Sequence, residues 1–220
     1  IKGFSGLSDY YFTSDKLEAY GNGNMLKGGL VYADRITTVS RSYASEIRMP
    51  FYGEGLDGLL RARSKQLSGI VNGIDYNVYN PKTDKDISVE DVIKAKAANK
   101  TALQKELGLE ENPDAFMLGI VSRLTDQKGL DLVECVLDQI CAEDVQLVVL
   151  GTGEGKYQDM FTYYSRKYPE RVSANIFYSE ALSHRIYASC DAFLMPSLFE
   201  PCGLSQLMSL RYGTLPIVRE

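Results

Sequence analysis

Beyond Pro113, short apolar runs alternate with stretches of helical spacing. Phe116-Met117-Leu118-Gly119-Ile120-Val121, Val145-Gln146-Leu147-Val148-Val149-Leu150, Ala174-Asn175-Ile176-Phe177, Ala192-Phe193-Leu194-Met195 and residues 214–218 each have the length of a strand. These runs are continuously apolar rather than alternating, which is expected of strands covered on both faces. The pattern therefore predicts an α/β domain built on a doubly wound parallel sheet.

The earlier part of the chain is less regular. Residues 1–20 mix Gly, Ser, Asp and aromatics without a period and read as loop. Asn24 is placed to cap a helix running to Ala33, Ile36-Thr37-Thr38-Val39 reads as a β-branched strand, and Ser40 or Ser42 starts a helix that Pro50 stops after Met49. The glycines of 53–58 read as a turn, and Ile70-Val71 as the end of a strand leading into Asn72-Gly73-Ile74-Asp75. The polar stretch from Tyr76 to Asp86, which contains Pro81, marks the best domain boundary. Ser88 with Asp91 resembles a capping box at the start of a long polar helix that ends near Gly108.

In an open parallel sheet, ligand chemistry belongs to the loops at the carboxyl ends of the strands. The run Ser197-Leu198-Phe199-Glu200-Pro201-Cys202-Gly203-Leu204-Ser205-Gln206 joins an apolar strand to a helix. It puts a carboxylate beside a helix start whose free N–H groups suit an anion. A lone loop glutamate is usually solvated; here Pro201 stiffens the loop, Gly203 permits close backbone approach, and Ser205 and Gln206 add polar groups in the first helical turn. In the loop Ser122 to Gly129, Arg123 leaves a strand and Lys128 enters a helix N-terminus, so the two cations can converge on a diphosphate, or can equally be solvated surface cations. Gly151-Thr152-Gly153-Glu154-Gly155-Lys156 falls short of a P-loop and of a dinucleotide fingerprint, and is left as a close turn near a nucleotide. Tyr178, after the strand ending at Phe177, offers a face for a base or for ordinary packing.

Composition narrows the class. The 220 residues carry a formal net charge of −5 without a long block of like charge, which gives no footprint for nucleic acid or an anionic membrane. No apolar run approaches a membrane span and no signal peptide is visible. Cys135, Cys141, Cys190 and Cys202 form no C-x-x-C pair and His184 is the single histidine, so neither a zinc site nor a disulfide framework is expected, and a reduced, cytoplasmic setting is. His184 itself reads as a helix-surface or capping group without a catalytic role.

Taken together, Ser122-Arg123-Leu124 with Gln127-Lys128-Gly129, then Ser183-His184-Arg185-Ile186-Tyr187, Pro196-Ser197 with Phe199 to Leu204, and Tyr212-Gly213-Thr214-Leu215-Pro216 strongly resemble bacterial glycogen synthases and plant starch synthases. The resemblance extends through Lys27-Gly29-Tyr32-Ala33-Asp34, Thr38-Val39-Ser40 and Asn72 to Asp75, and so covers nearly the whole chain. It implies the GT-B fold of two Rossmann-like domains, with the end of the first over residues 1–79 and most of the second, the nucleotide-sugar-binding one, over 80–220. It also implies an internal piece of a longer protein, because the family's Lys-x-Gly-Gly-Leu loop, first-domain histidine and Thr-Gly-Gly loop lie outside this sequence. On its own such a piece is not expected to turn over substrate.

By that resemblance the activity is retaining transfer of glucose from ADP-glucose to the non-reducing end of an α-1,4-glucan, without metal or cofactor. The resemblance assigns Arg123 and Lys128 to the donor diphosphate and Tyr178 to the base. Glu200 is assigned to the reacting glucose, and backbone at Cys202, Gly203 and Leu204 to glucose and the distal phosphate. Ser205 goes to the ribose and Asn72 to the sugar from the other domain, with Gly151 near the nucleotide. Many related enzymes carry a second glutamate eight positions after the first; Met208 stands there, which favours the glycogen and starch synthase branch. A relative using another nucleotide sugar, and a non-catalytic module that binds nucleotide or glucan, are the alternative readings.

Overall fold

The computed structural model describes residues 2–87 and 92–219. It divides into two compact units, residues 1–72 and 73–220. The resemblance puts the boundary at about Tyr79, whereas Tyr79 packs within the second unit, where its ring stacks on His184 with centroids 5.0 Å apart and its carbonyl accepts from Arg211 Nε at 3.1 Å.

The first unit opens with a short antiparallel hairpin, β1 (Glu18–Ala19) and β2 (Asn22–Gly23). Helix α1 (Met25–Tyr32) follows, and the Asn24 side chain caps it by accepting from Lys27 N–H at 2.9 Å. Its carboxyl end is held by Arg63, whose guanidinium donates to the carbonyls of Leu30 and Val31 at 2.6 and 2.8 Å. Strand β3 (Ile36–Thr38) pairs in parallel with β4 (Leu67–Gly69), and α2 (Arg41–Glu46) and α3 (Asp57–Ala62) lie between them in sequence. Ser40, not Ser42, caps α2. That helix stops at Glu46, before Pro50 is reached. Two readings need correction. Ile70 and Val71 lie beyond β4, 63% and 61% exposed, so β-branched content alone misplaced the strand. The second half of the glycine-rich stretch starts α3, a helix of six residues too short to show a period.

In the second unit α4 (Val92–Leu107) ends at Gly108, which takes the left-handed conformation with φ +69°. The proposed capping pair Ser88 and Asp91 lies outside the described residues. Then come β5 (Phe116–Val121), α5 (Leu130–Ala142), β6 (Val145–Leu150), α6 (Gly155–Lys167), β7 (Val172–Asn175), α7 (Glu180–Ser189), β8 (Ala192–Met195), α8 (Leu204–Arg211) and β9 (Leu215–Val218). The five strands form one parallel sheet in the order β7-β6-β5-β8-β9. Counted from β5, this is the Rossmann order 3-2-1-4-5.

Successive residues of the central strands supply opposite cores. Leu147 and Val149 pack with Leu130, Val133 and Leu137 of α5 and Phe161 of α6, whereas Val148 and Leu150 pack with Leu103 of α4 and Leu182 and Ile186 of α7. This two-sided burial is the physical source of the unbroken apolar runs, and the sheet is the expected doubly wound α/β one.

Candidate functional site

Strand β5 is followed in sequence by its neighbour on one side, β6, and β8 by its neighbour on the other, β9, so the connections diverge between β5 and β8. In an open parallel sheet that divergence leaves a crevice at the strands' carboxyl ends. The two loops richest in candidate chemistry leave from these two strands, and they are locked to each other. Leu198 N–H donates to the Gln127 carbonyl at 2.9 Å, and Gln127 Nε2 donates to the Phe199 carbonyl at 3.2 Å. Gly129, with φ +65°, lies so close to the Pro196 carbonyl that any Cβ would overlap it.

The crossing brings Lys128 and Glu200 into contact. Lys128 Nζ pairs with Glu200 Oε1, and Ser197 Oγ donates to that same oxygen at 2.7 Å. Lys128 does not enter a helix N-terminus as expected. It ends a single 3-10 turn, Asp126–Lys128, which the left-handed Gly129 separates from α5. Arg123 leaves β5 as expected; it is exposed and pairs with no described acidic side chain. On the far side of Glu200, Gly203 (φ +72°) is the N-cap of α8, and no side-chain cap is made there among the described residues; Gln206 N–H donates to the Gly203 carbonyl, and the N–H groups of Leu204 and Ser205 are left for a ligand or water. Cys202 is a half-buried free thiol, Leu204 is 39% exposed, and Ser205 is half-buried beside Tyr187. Burial pushes the Tyr187 phenol up to about 12, against the opposing effect of its hydrogen bond with Ser205.

A cavity of about 280 Å³ adjoins these loops, and Arg123, Gly151, Tyr178, Tyr79, Tyr187 and Met208 are among its lining residues. It thus gathers three of the predicted residues, while Lys128 and Glu200 lie outside its lining. Gly151 is close-packed on the Ser122 carbonyl, where a side chain would overlap. Tyr178 is 87% exposed and presents its ring freely; β7 stops at Asn175, so the strand read through Phe177 is two residues too long. Lys156 of the glycine-rich loop pairs with Asp126, which also accepts from Tyr157 Oη at 2.6 Å, so that loop braces the one after β5. Asn72 is the exposed last residue of the first unit.

His184 overturns the surface reading. It is 5% exposed, its Nδ1 lies 2.6 Å from Asp84 Oδ2, and Tyr212 Oη donates to the same carboxylate oxygen. Burial alone would raise the Asp84 carboxyl, but Tyr212, the Asp86 N–H and His184 together hold it below the usual range. Burial, and then the Asp84 hydrogen bond, push Tyr212 up. No spacing in the sequence joins Asp84 to a histidine 100 residues later. A cavity of about 510 Å³ opens beside this cluster, but none of the predicted site residues lines it. Among the described residues, no group of three or more His, Cys, Asp or Glu side chains is placed to hold a metal. No helix there is long and apolar enough to cross a membrane.

The family model described as glycosyl transferases group 1 matches residues 100–220, more than half of the chain. The chain belongs to this family. A second model, the starch synthase catalytic domain, matches residues 2–62. The glycogen synthases of Lachnospira eligens and Lachnoclostridium phytofermentans are 70% and 64% identical over all of this chain. The chain spans about half the length of these curated relatives, 47% of each. Among solved structures, the catalytic domain of starch synthase IV from Arabidopsis thaliana, bound to ADP and acarbose, is 35% identical with a TM-score of 0.89, over 97% of this chain and 45% of that one. HepE from Anabaena, solved with UDP and glucose, is 20% identical at a TM-score of 0.60 over 88% of this chain and 46% of that one, a likeness of fold alone. The resemblance to glycogen and starch synthases read from the motifs therefore holds along the chain, and its fold is of the GT-B type.

Proposed function

We propose that the full-length protein is a retaining glucosyltransferase that moves glucose from ADP-glucose to the non-reducing end of an α-1,4-glucan. The observation that carries this reading is the meeting of Lys128 and Glu200 at the crevice between β5 and β8, beside the uncapped start of α8. A cation and free N–H groups suit a departing diphosphate, and a carboxylate suits positive charge at an anomeric carbon. In the step, the bond from C1 to the phosphate oxygen breaks and a bond from C1 to the acceptor's 4-oxygen forms. ADP leaves with the electron pair, and the acceptor hydroxyl gives up its proton to the departing phosphate oxygen or to solvent. Arg123, Lys128 and the α8 N–H groups stabilise the charge gathering on ADP, while Glu200 faces the sugar. Tyr178 stacks on the base, Gly151 lies near the nucleotide, Cys202, Gly203 and Leu204 present backbone to glucose and phosphate, Ser205 takes the ribose, and Asn72 reaches the sugar. The glycogen synthase relatives and the ADP of the starch synthase IV structure support this donor and acceptor.

With two cations already at the diphosphate, no metal or further cofactor is needed, and no nucleic acid or membrane partner enters. Four free cysteines fit a reduced, cytoplasmic setting. The test is transfer to glycogen by the full-length protein, with ADP-glucose and UDP-glucose compared in the presence and absence of chelator. Faster turnover with ADP-glucose, unchanged by chelator, is the expected result. Preference for UDP-glucose would overturn the donor assignment, and chelator-sensitive activity restored by magnesium would overturn metal independence.

A further inference from the structure

Glu200 is held unevenly. Oε1 receives both Lys128 Nζ and Ser197 Oγ, while among the described residues Oε2 has no hydrogen-bond partner. The two holds differ in kind. Lys128 reaches across from another loop, 72 residues away in sequence, on a long flexible side chain whose charge a diphosphate would attract. Ser197 lies three residues from Glu200 on the same loop, is 7% exposed, and has a short side chain with a single torsion to its oxygen. Its hydroxyl must be the donor, because an ionised carboxylate only accepts.

We infer that Ser197 is a positioning residue for the transfer reaction, holding Glu200 by Oε1 so that Oε2 faces the sugar when the donor draws Lys128 toward its diphosphate. This rests on the glucosyltransferase reading above. The hold is independent of the donor, since both partners lie in the loop that follows β8 and Leu198, between them, is fastened to Gln127. Loss of one hydrogen bond to a charged group corresponds to roughly a 10- to 100-fold change. It should appear in kcat rather than in donor KM, because the contact orients a group that acts as charge develops.

The experiment compares Ser197→Ala, Ser197→Thr, Glu200→Gln and the Ala/Gln double variant in the full-length protein, measuring kcat, donor KM and Tm. Expected are a kcat roughly 10- to 100-fold lower for Ser197→Ala with donor KM within about threefold, recovery of most of the rate in Ser197→Thr, and a double variant no slower than Glu200→Gln alone. A merely structural serine would lower Tm without the split between kcat and KM, and its loss would add to that of Glu200→Gln. Should Ser197→Ala not fold, the near-isosteric Ser197→Cys, a weaker donor, carries the comparison and should lower kcat. Wild-type kcat in Ser197→Ala (or in Ser197→Cys where it stands in), with Glu200→Gln crippled, overturns this inference alone. Near-normal kcat in Glu200→Gln instead overturns the glucosyltransferase role of Glu200 on which it rests.

Discussion

Two of the acid–base pairs that the second unit makes between residues far apart in sequence are built to opposite ends. Asp84 and His184 are enclosed, with side chains 3% and 7% exposed, and both oxygens of Asp84 are engaged, Oδ2 by His184 and Tyr212 and Oδ1 by the Asp86 N–H. Lys128 and Glu200 are more open, 15% and 20% exposed, at the carboxyl edge of the sheet, and one carboxylate oxygen is left over. A buried carboxylate must be fully partnered to be tolerated, and once it is, neither oxygen remains to offer a ligand; the unpartnered atom of the enclosed pair is the buried ring nitrogen His184 Nε2. A pair at a crevice keeps water near and retains unused valence. A carboxylate oxygen left free, rather than cavity size, sets the crevice pair apart from the enclosed one.

That contrast can be broken most forcefully at the enclosed pair. Asp84→Ala leaves His184 and the Tyr212 hydroxyl without their acceptor and should cost roughly 3–5 kcal/mol of stability, read as a fall in Tm. The molecules that remain folded should keep near-normal kcat. The pH dependence follows from the lowered Asp84 pKa. A carboxyl whose folded pKa lies below its unfolded value adds stability that is complete above the unfolded value, about 3.9, and is lost as pH falls through the folded one. The Tm gap between wild type and Asp84→Asn should therefore be full near neutrality and close as the pH drops below the ordinary carboxylate range. A gap that widens in acid would contradict the assignment.

At the open pair the effects should be reversed. Glu200→Gln keeps size and loses charge, and should lower kcat on the order of 100-fold, about 2.7 kcal/mol, with Tm nearly unchanged. A large drop in Tm with normal turnover would make this pair scaffold as well. The smallest of the three effects is expected at Arg123, which has no described acidic partner to leave stranded. Arg123→Ala should weaken binding of ADP by about 2 kcal/mol without altering Tm, as isothermal titration would show. Unchanged ADP affinity would return Arg123 to the solvated surface cations.

Much of this was legible in the chain. The strand runs of the second unit match its strands within a few residues, the caps at Asn24 and Ser40 lie where their side chains allow, and the loops after β5 and β8 stand out by their residues alone, without the strand order. The failures share a cause. Phe177 and Ile70-Val71 have strand-like side chains, but whether a residue pairs depends on a partner strand that local composition does not contain. His184 lay unread because its partner Asp84 falls in a polar stretch with the composition of a linker.

The sequence by itself determined what is local: strand identity from unbroken apolar runs, helix starts from capping residues, and the chemical types on each loop. The tertiary structure alone decided which of those groups meet. The strand order sets β5 beside β8 and so joins Lys128 to Glu200 across 72 residues, and the packing of α7 joins His184 to Asp84 across 100. Propensity and capping act over one turn or one strand. Pairing of charges acts over a few ångströms of space, and only burial of the two cores brings such distant positions that close.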